Sequence, residues 1–170
     1  NLKENDEIIV QVLKEERGTK GAALSAQLSL AGRFLVLIPN SSRGGGVSRR
    51  ISGDERDQVK NIIKQLAIPE GMSVIVRTAG LGRNIEELNW DLDYLLSMWS
   101  QIDKSTKDVD SPSLIYSDDK LILRVFRDYY REDIEEILID DKDVYEEALK
   151  FAQSVIPVSY THLRAHETVS

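Results

Sequence analysis

The sequence predicts an α+β fold that begins with strands and continues with strand–helix units. Short runs of β-branched and aliphatic residues, separated by turn residues, occupy the first part of the chain up to Asn40. Beyond Asp54, apolar residues recur at helical spacing in several segments. Between two of these segments, the run Val74-Ile75-Val76 has the composition of a buried strand. Together these patterns indicate a mixture of strands and helices.

The predicted strands come first. Residues 7–14 are rich in β-branched side chains and predict a strand, and residues 15–21 predict a turn. Residues 22–40 predict two further extended stretches that break at Ala31-Gly32. The opening part of the chain is therefore expected to be a β region.

A helix is predicted from about Asp54, after the glycine-rich and basic loop of residues 41–53. Ser52 and Glu55 have the spacing of a capping box at its start, and the turn at residues 69–71 ends it. Its apolar side chains recur at i, i+3, i+4 and i+7: Val59, Ile62, Ile63 and Leu66.

A strand over residues 73–78 and a second helix follow. Asn84 is expected to cap this helix, because Glu87 lies three residues further on. One broad apolar face characterises the helix, and it comprises Ile85, Leu88, Leu92, Leu95, Leu96, Trp99 and Ile102.

The remaining elements come after a polar linker. The sequence predicts a short strand at residues 114–116, a helix at 120–131, a strand at 135–140 and a final helix at 143–156. Four aromatic side chains lie beside leucines or at helical spacing, and we expect them in the core: Trp90, Tyr94, Trp99 and Phe126.

The composition excludes several kinds of chemistry. The chain has no cysteine, so it contains neither a disulfide nor a thiolate metal site. Its two histidines, His162 and His166, lie in a segment that we expect to be non-native, so no catalytic triad is predicted. No stretch approaches about 18 consecutive apolar residues, and residues 1–6 resemble neither a signal peptide nor a transit peptide.

The last residues, "PVSYTHLRAHETVS", have no apolar period and do not continue the helix predicted before them. They resemble the translated end of a transposon-type adaptor used in sequencing libraries. We therefore expect residues 157–170 to be a non-native, adaptor-derived tail. The i, i+4 spacing of His162 and His166 is a weak sign of zinc, and we predict no metal there.

Charge is distributed unevenly along the chain. The net charge is −7, yet residues 17–50 contain six basic residues and no Asp or Glu, so this window carries +6 and the rest −13. Binding of a nucleic acid depends on such a local basic surface more than on the total charge. A solvated face without a ligand is the alternative. The six residues are Arg17, Lys20, Arg33, Arg43, Arg49 and Arg50.

The strand predicted before the glycine loop ends in residues suited to an anion. Arg77 offers a planar fork of donors that can hold two oxygens of one phosphate, and the Thr78 hydroxyl adds another donor. Residues 79–83 then lead to the start of a helix, where amide groups and the helix dipole favour a phosphate. The alternative is that Arg77 pairs with a carboxylate such as Glu86 or Asp91.

The turn between the first predicted strands carries Arg17 and Lys20. It resembles the last hairpin of an OB-type RNA-binding barrel, whose lysines hold the backbone of single-stranded RNA. A solvated hairpin without a ligand is the alternative. The acidic side chains further along have no metal-binding spacing and are expected on an exposed face: Asp133, Asp140, Asp141 and Asp143.

Six motifs occur in order along the chain: EERGTKGAALS, LSLAGRFLVLIPN, GGGVSRRISGDER, PEGMSVIVRTAG, LNWDLDYLLSMW and FRDYYREDIEEILID. Together they resemble the RNase E/G endoribonucleases, and more closely the RNase E branch of that family. The resemblance covers about residues 6–156. It implies the closing strands of an OB-fold RNA-binding domain at 1–30, a 5′-sensor domain at 31–122 and part of an RNase H-like domain at 123–156.

The resemblance also implies site residues. Arg77 and Thr78 match the pair with which the family reads a 5′-monophosphate on RNA, and Gly32 and Val36 match the positions of its main-chain contacts. Lys20 matches an RNA-contacting lysine, and Arg17 lies beside it in the same hairpin. No catalytic residue and no metal ligand is expected within the chain.

For the whole protein, the resemblance implies a single-strand-specific endoribonuclease of RNA processing and decay, in which a Mg²⁺-activated water hydrolyses the phosphodiester. The Mg²⁺ carboxylates and the cysteines of an inter-subunit Zn²⁺ site are expected downstream, so this chain is expected to bind RNA without cutting it. A homotetramer, degradosome partners and a bacterial cytoplasmic location, with peripheral attachment to the inner membrane, are also implied. A stand-alone, non-catalytic RNA-binding module is the alternative function.

Overall fold

The protein has a mixed α+β fold, as predicted. The computed structural model describes residues 3–41, 46–48, 51–107, 109–117, 120–130, 134–155 and 162–165. The chain divides into two compact units, Asn1–Leu95 and Leu96–Ser170. The predicted domain boundaries at residues 30, 122 and 156 stay predictions.

The first unit opens with an antiparallel hairpin of two strands, β1 (Gln11–Lys14) and β2 (Ala23–Ser25). The strand predicted over residues 7–14 is thus formed only in its second half, since residues 7–10 are irregular. Apolar side chains of the hairpin are exposed to solvent: Val12, Leu13 and Leu24 are each more than half accessible, at 58%, 58% and 57%.

A four-stranded sheet forms the centre of this unit, in the spatial order β3-β4-β6-β5. The strand β4 pairs antiparallel with β3 and with β6, and β5 pairs parallel with β6. Leu35 and Leu37 on β4, and Val74 and Val76 on β6, are fully buried. The strands are β3 (Leu30–Ala31), β4 (Leu35–Ile38), β5 (Gly46–Val47) and β6 (Ser73–Val76).

The first helix, α1 (Asp54–Ile63), begins where the sequence predicts, but its cap differs. Gly53 is the N-cap residue, with φ 66°, and no side chain caps the helix. The predicted capping box of Ser52 and Glu55 is therefore wrong. The physical reason is that a glycine with positive φ turns the chain into the helix one residue after Ser52.

The second helix, α2 (Ile85–Ser105), is capped as predicted. The backbone amide of Glu87 donates to the Asn84 side-chain oxygen over 2.8 Å, and the Asn84 amide donates to the Glu87 carboxylate over 3.3 Å. The predicted aromatic core is found in part: Tyr94 is buried, whereas Trp90 is half-buried and stacks on Tyr94. Trp99 is half-buried as well.

The second unit contains the predicted C-terminal helices and strand. Phe126 is buried against Tyr130 and Phe151, with ring centroids 5.9 and 5.7 Å apart. The strand predicted at residues 114–116 is not formed; Leu114 is 83% exposed, and these residues pair with no strand in the described part of the chain. The elements are α3 (Leu121–Tyr129), β7 (Glu136–Ile139), α4 (Lys142–Val155) and β8 (His162–Ala165).

The strand β8 lies within the segment predicted to be an adaptor-derived tail. It pairs parallel with β7, from Glu136 opposite His162 to Ile139 opposite Ala165. Four of these tail residues therefore take part in a sheet, although the sequence pattern gives no sign of it. The origin of residues 157–170 stays a prediction, and His166 lies outside the described residues.

Candidate site for a phosphate at the exit of β6

Arg77 lies where β6 leaves the central sheet. Its backbone amide donates to the Phe34 carbonyl over 2.8 Å, which continues the pairing between β4 and β6 by one residue. A single 3-10 turn, Thr78–Gly80, then takes the chain away from the sheet. The strand predicted over residues 73–78 thus ends at Val76, and the turn leaves Arg77 half-buried and Thr78 exposed at the sheet edge.

The glycine loop after Arg77 is shaped by packing. Gly80 is buried, and a Cβ atom at this position would lie 2.9 Å from Val76 Cγ1 and 3.0 Å from the Phe34 carbonyl oxygen. Gly82 has a positive φ of 70°, which favours glycine. The amide of Glu87, in the first turn of α2, already donates to Asn84. Packing against Phe34 and Val76 therefore explains the glycine at position 80, and the Glu87 amide is occupied by the cap of α2.

Asp91 on α2 is the one buried carboxyl group of this region. Its side chain is 1% exposed, and its oxygens accept hydrogen bonds from three consecutive backbone amides of the turn before β4. The amide of Arg33 donates over 2.9 Å, that of Phe34 over 2.8 Å and that of Leu35 over 2.7 Å. The sequence suggests Asp91 only as a possible partner of Arg77 and does not predict this role.

Gly32 lies directly against Asp91. A Cβ atom on Gly32 would be 2.6 and 2.7 Å from the two Asp91 oxygens, closer than any real contact. Its amide donates to the Leu35 carbonyl over 2.8 Å, which closes the turn between β3 and β4. The resemblance implies a main-chain contact between Gly32 and a phosphate, which the absence of a Cβ atom favours. The structure gives another reason for a glycine here, namely the adjacent carboxyl group.

The Arg77 side chain is held by the same turn. One guanidinium nitrogen, Nη1, donates to the Gly32 carbonyl oxygen. In the part of the chain that the structure describes, no carboxylate lies within ion-pair distance of Arg77. The predicted alternative, a direct ion pair with Glu86 or Asp91, is therefore not formed among these residues.

The electrostatics of Asp91 reflect both burial and neighbours. Burial raises the pKa of the Asp91 carboxyl group above its ordinary value. The three backbone amides oppose this shift, as does the positive charge of Arg77 to a smaller extent. Arg77 is thus near enough to act on Asp91 through its charge, while its direct hydrogen bond goes to a carbonyl.

The predicted phosphate-binding residues lie at neighbouring ends of two paired strands. Leu35 on β4 pairs with Val76 on β6, which places the turn at Gly32 beside the exit at Arg77. Val36 is half-buried on β4 opposite Ile75, and so lies further along the sheet than the other residues. The structure joins Gly32 and Arg77 by a hydrogen bond, and Thr78 adjoins Arg77 in sequence.

Two further cations lie near this exit. The guanidinium carbons of Arg33 and Arg83 are 5.0 and 5.2 Å from the centroid of the Phe34 ring. Arg83 also forms an exposed ion pair with Glu87 over 3.4 Å. Arg33 belongs to the basic window of residues 17–50, but the sequence links neither arginine to the site. No sequence pattern indicates that Arg83, in the glycine loop, lies close to the Phe34 ring.

Arg17 and Lys20 form a second cationic group, at the tip of the β1–β2 hairpin. Each donates its backbone amide to the other's carbonyl, over 3.0 and 3.1 Å, so the two residues lie opposite each other. Gly18, with φ 59°, allows the tight turn between them. Both residues are exposed. Like charges in directly opposed positions repel, which favours an anion between or beside them.

Among the described residues, no three acidic or histidine side chains come close enough together to hold a metal ion. The Mg²⁺ and Zn²⁺ sites that the resemblance implies are expected downstream and stay predictions. Within the same residues, no helix combines the length and the apolar character needed to cross a bilayer.

Comparison with known proteins identifies the relatives of this chain. The model of the Ribonuclease E/G family matches residues 29–169, which includes most of the predicted tail. The chain is 52% identical over 145 residues to Ribonuclease E of Escherichia coli (strain K12), covering 85% of this chain and 14% of that protein. It is 50% identical over 156 residues to Ribonuclease E of Haemophilus influenzae, covering 92% and 17%.

A more distant relative is the Ribonuclease E/G-like protein, chloroplastic, of Arabidopsis thaliana, which is 35% identical over 176 residues. The alignment covers 98% of this chain and 17% of that protein, so the chain spans under a fifth of the length of these relatives. The family match extends over most of the chain, and it confirms the resemblance seen in the six sequence motifs. The chain belongs to the ribonuclease E/G family.

Proposed function

We propose that this chain is an interior part of a single-strand-specific endoribonuclease of RNA processing and decay, and that its own role is to bind RNA and sense a 5′-monophosphate end. Membership of the ribonuclease E/G family supports the RNA-processing role. The observation that carries the sensing role is the environment of the Arg77 guanidinium. Its half-buried guanidinium is held by the Gly32 carbonyl, and no carboxylate among the described residues neutralises it at ion-pair distance.

A terminal monophosphate suits this arrangement. It carries about −1.5 to −2 charge near neutral pH, whereas an internal phosphodiester carries about −1. A guanidinium that donates one hydrogen bond to Gly32 retains further donors for phosphate oxygens. The exposed Thr78 hydroxyl adds a donor beside it. In our proposal Gly32 and Val36 contribute main-chain contacts.

The hairpin β1–β2 is proposed to bind the RNA backbone. Arg17 and Lys20 are exposed and lie opposite each other at its tip, in an isolated β-bridge beyond the two strands. We assign the hairpin to the end of an OB-type barrel, because the exposed side chains of Val12, Leu13 and Leu24 are those that further barrel strands would cover. The helical C-terminal part is assigned to an RNase H-like segment.

Cleavage of RNA is proposed to depend on regions of the protein beyond this chain. In this proposal, downstream carboxylates hold Mg²⁺, which activates a water molecule, and cysteines of neighbouring subunits hold Zn²⁺ in a homotetramer. Degradosome partners and a bacterial cytoplasmic location, with attachment to the inner membrane, belong to the same proposal. The chain alone is expected to bind RNA without hydrolysing it.

The test is a comparison of single-stranded RNA oligonucleotides that differ only at the 5′ end. Fluorescence anisotropy should give tighter binding for the 5′-monophosphate than for the 5′-hydroxyl or the 5′-triphosphate. Arg77→Ala should abolish this preference, while Arg124→Ala, which removes an exposed arginine from α3, should keep it. Circular dichroism checks that each protein is folded. Equal affinity of the unchanged protein for all three RNAs would refute 5′-end sensing.

A further inference from the structure

We infer that Asp91 is the positioning residue of the 5′-phosphate site: it fixes the turn of residues 32–35, and this turn sets the orientation of the Arg77 guanidinium. The inference rests on the proposed function, since it concerns the same site. It is carried by three successive contacts, from the Asp91 carboxyl group to the turn, from the turn to Gly32, and from Gly32 to Arg77.

The first contact fixes the backbone of the turn. One oxygen of Asp91 accepts the amide of Arg33, and the other accepts the amides of Phe34 and Leu35. Three consecutive amides directed at one buried carboxyl group define the path of the chain there. Outside the helices and strands, no backbone carbonyl of the described residues accepts a hydrogen bond from the Arg33 or Phe34 amide. Because the carboxyl group is buried on α2, the helix dictates where the turn lies.

The second contact fixes Gly32 itself. A Cβ atom on Gly32 would lie only 2.6 and 2.7 Å from the two Asp91 oxygens. The backbone of residue 32 therefore lies directly against the carboxyl group. The hydrogen bond from the Gly32 amide to the Leu35 carbonyl, 2.8 Å long, closes the turn on the other side.

The third contact transmits this position to Arg77. The Arg77 amide donates to the Phe34 carbonyl and its Nη1 donates to the Gly32 carbonyl, so backbone and side chain both end on the turn that Asp91 holds. The guanidinium then retains its other donors for a ligand. The amides of residues 33–35 are occupied by Asp91, and so the phosphate is read by Arg77 and Thr78 rather than by these amides.

The binding test uses Asp91→Asn, which keeps the shape of the side chain but turns one oxygen into an NH₂ group that faces backbone donors. The affinity ratio between 5′-monophosphate and 5′-hydroxyl RNA should fall roughly tenfold. Affinity for the 5′-hydroxyl RNA should change by less than about twofold. Asp93→Asn, at an exposed position of the same helix, should leave the ratio unchanged.

The outcomes separate the inference from the function on which it rests. A merely structural role predicts that Asp91→Asn lowers the melting temperature while the folded protein keeps its affinity ratio, and this result would overturn the inference. If the unchanged protein has no preference for the 5′-monophosphate, the proposed function itself fails. In that event, a measurement of stability alone still tests the contact between Asp91 and Gly32.

That stability test is a double-mutant cycle of Gly32→Ala and Asp91→Ala, followed by urea unfolding. Gly32→Ala should strongly destabilise the unchanged protein but should cost little in the Asp91→Ala background, where the colliding oxygens are gone. An equal loss in both backgrounds would contradict the contact. Should Asp91→Ala lose the folded circular dichroism spectrum, Asp91→Ser takes its place in the cycle. Even if its stability is restored, the Gly32→Ala/Asp91→Ala protein should discriminate the 5′ ends poorly. The carboxyl group that fixes the turn, and through it the Arg77 guanidinium, is absent.

Discussion

At the scale of residues, two glycines of the site are explained by the atoms beside them. Gly32 lies on the Asp91 oxygens, and Gly80 lies between Val76 and the Phe34 carbonyl. Neither has a positive φ, so the backbone conformation alone would accept a side chain at both positions. The requirement for glycine comes from tertiary packing, which brings β4, β6 and α2 together.

Gly80→Ala should lower the free energy of unfolding by about 1–3 kcal/mol, because the added methyl group would collide with the Phe34 carbonyl and Val76. Gly21→Ala is the matched control, since a Cβ atom at Gly21 would meet nothing within 4 Å. This control should shift the free energy by less than about 0.5 kcal/mol. Urea unfolding of both variants measures the difference, and equal effects would contradict the packing at Gly80.

The raised pKa of Asp91 makes a prediction about pH. Between the ordinary carboxyl pKa, about 3.9, and the raised value, the folded protein holds a proton that the unfolded chain releases. The contribution of Asp91 to stability is therefore greatest at low pH and is lost as the pH rises through the raised pKa. The free energy of unfolding of the unchanged protein minus that of Asp91→Asn should fall over this range. A difference that does not vary with pH would contradict the raised pKa.

The sequence predicts some of these residues and misses others for identifiable reasons. Arg77 stands out because an arginine follows an apolar strand and precedes a glycine loop. Asp91 is harder to recognise, although it falls three residues after Leu88 and directly before Leu92, on the apolar face of α2. A carboxyl group on that face was an available signal of a buried acceptor. Its three partners, however, are backbone amides more than 50 residues away, and no sequence pattern identifies them.

At the scale of elements, helical periodicity predicts α1, α2, α3 and α4 well, whereas caps and short strands are less predictable. The Asn84 cap is confirmed by two hydrogen bonds, and the cap at Ser52 is replaced by Gly53. A strand exists only where another strand pairs with it. This dependence explains why residues 114–116 fail to form one and why β8 forms without a clear pattern.

Asn84→Ala should lower the free energy of unfolding by about 1 kcal/mol, because it removes the acceptor for the Glu87 amide at the start of α2. Asn61→Ala, on an exposed position of α1, is the control and should leave stability unchanged or raise it slightly. Thermal unfolding followed by circular dichroism compares the two. A loss of similar size for both variants would argue against the cap.

The β1–β2 hairpin makes a prediction about salt. Lys20→Ala should weaken binding of all single-stranded RNAs alike, whatever their 5′ end, and should reduce the slope of log affinity against log salt by about 0.7. Lys64→Ala, just beyond α1, removes an exposed lysine from a different surface and should leave the slope unchanged. A selective loss for the 5′-monophosphate RNA would assign Lys20 to the end-sensing site instead.

At the scale of the whole molecule, an acidic protein presents two local groups of basic side chains. The net charge is −7, yet Arg33, Arg77 and Arg83 gather near the exit of β6, and Arg17 and Lys20 at the hairpin tip. Such local groups attract a phosphate backbone while the rest of the surface repels it. The proposed RNA path therefore involves the hairpin and the site at β6.

The family was predictable from the whole sequence because six motifs occur in order, and the family match and the relatives confirm it. The α+β class was predictable from alternating strand and helix patterns. The contact between the turn at Gly32 and Arg77 was not predictable, because it depends on how β4 and β6 pair. The residues alone predict an anion site at Arg77, whereas its proposed role in sensing a 5′-monophosphate comes only from the resemblance to the family.

The most direct test of the central claim is a ³¹P NMR titration of a single-stranded RNA with a 5′-monophosphate. The second pKa of a terminal phosphate lies near about 6, and a bound guanidinium lowers it by stabilising the dianion. Binding to this chain should lower the pKa of the terminal phosphate, and binding to Arg77→Ala should leave it unchanged. If the RNA binds while the terminal phosphate titrates as it does in solution, Arg77 does not contact the 5′ end.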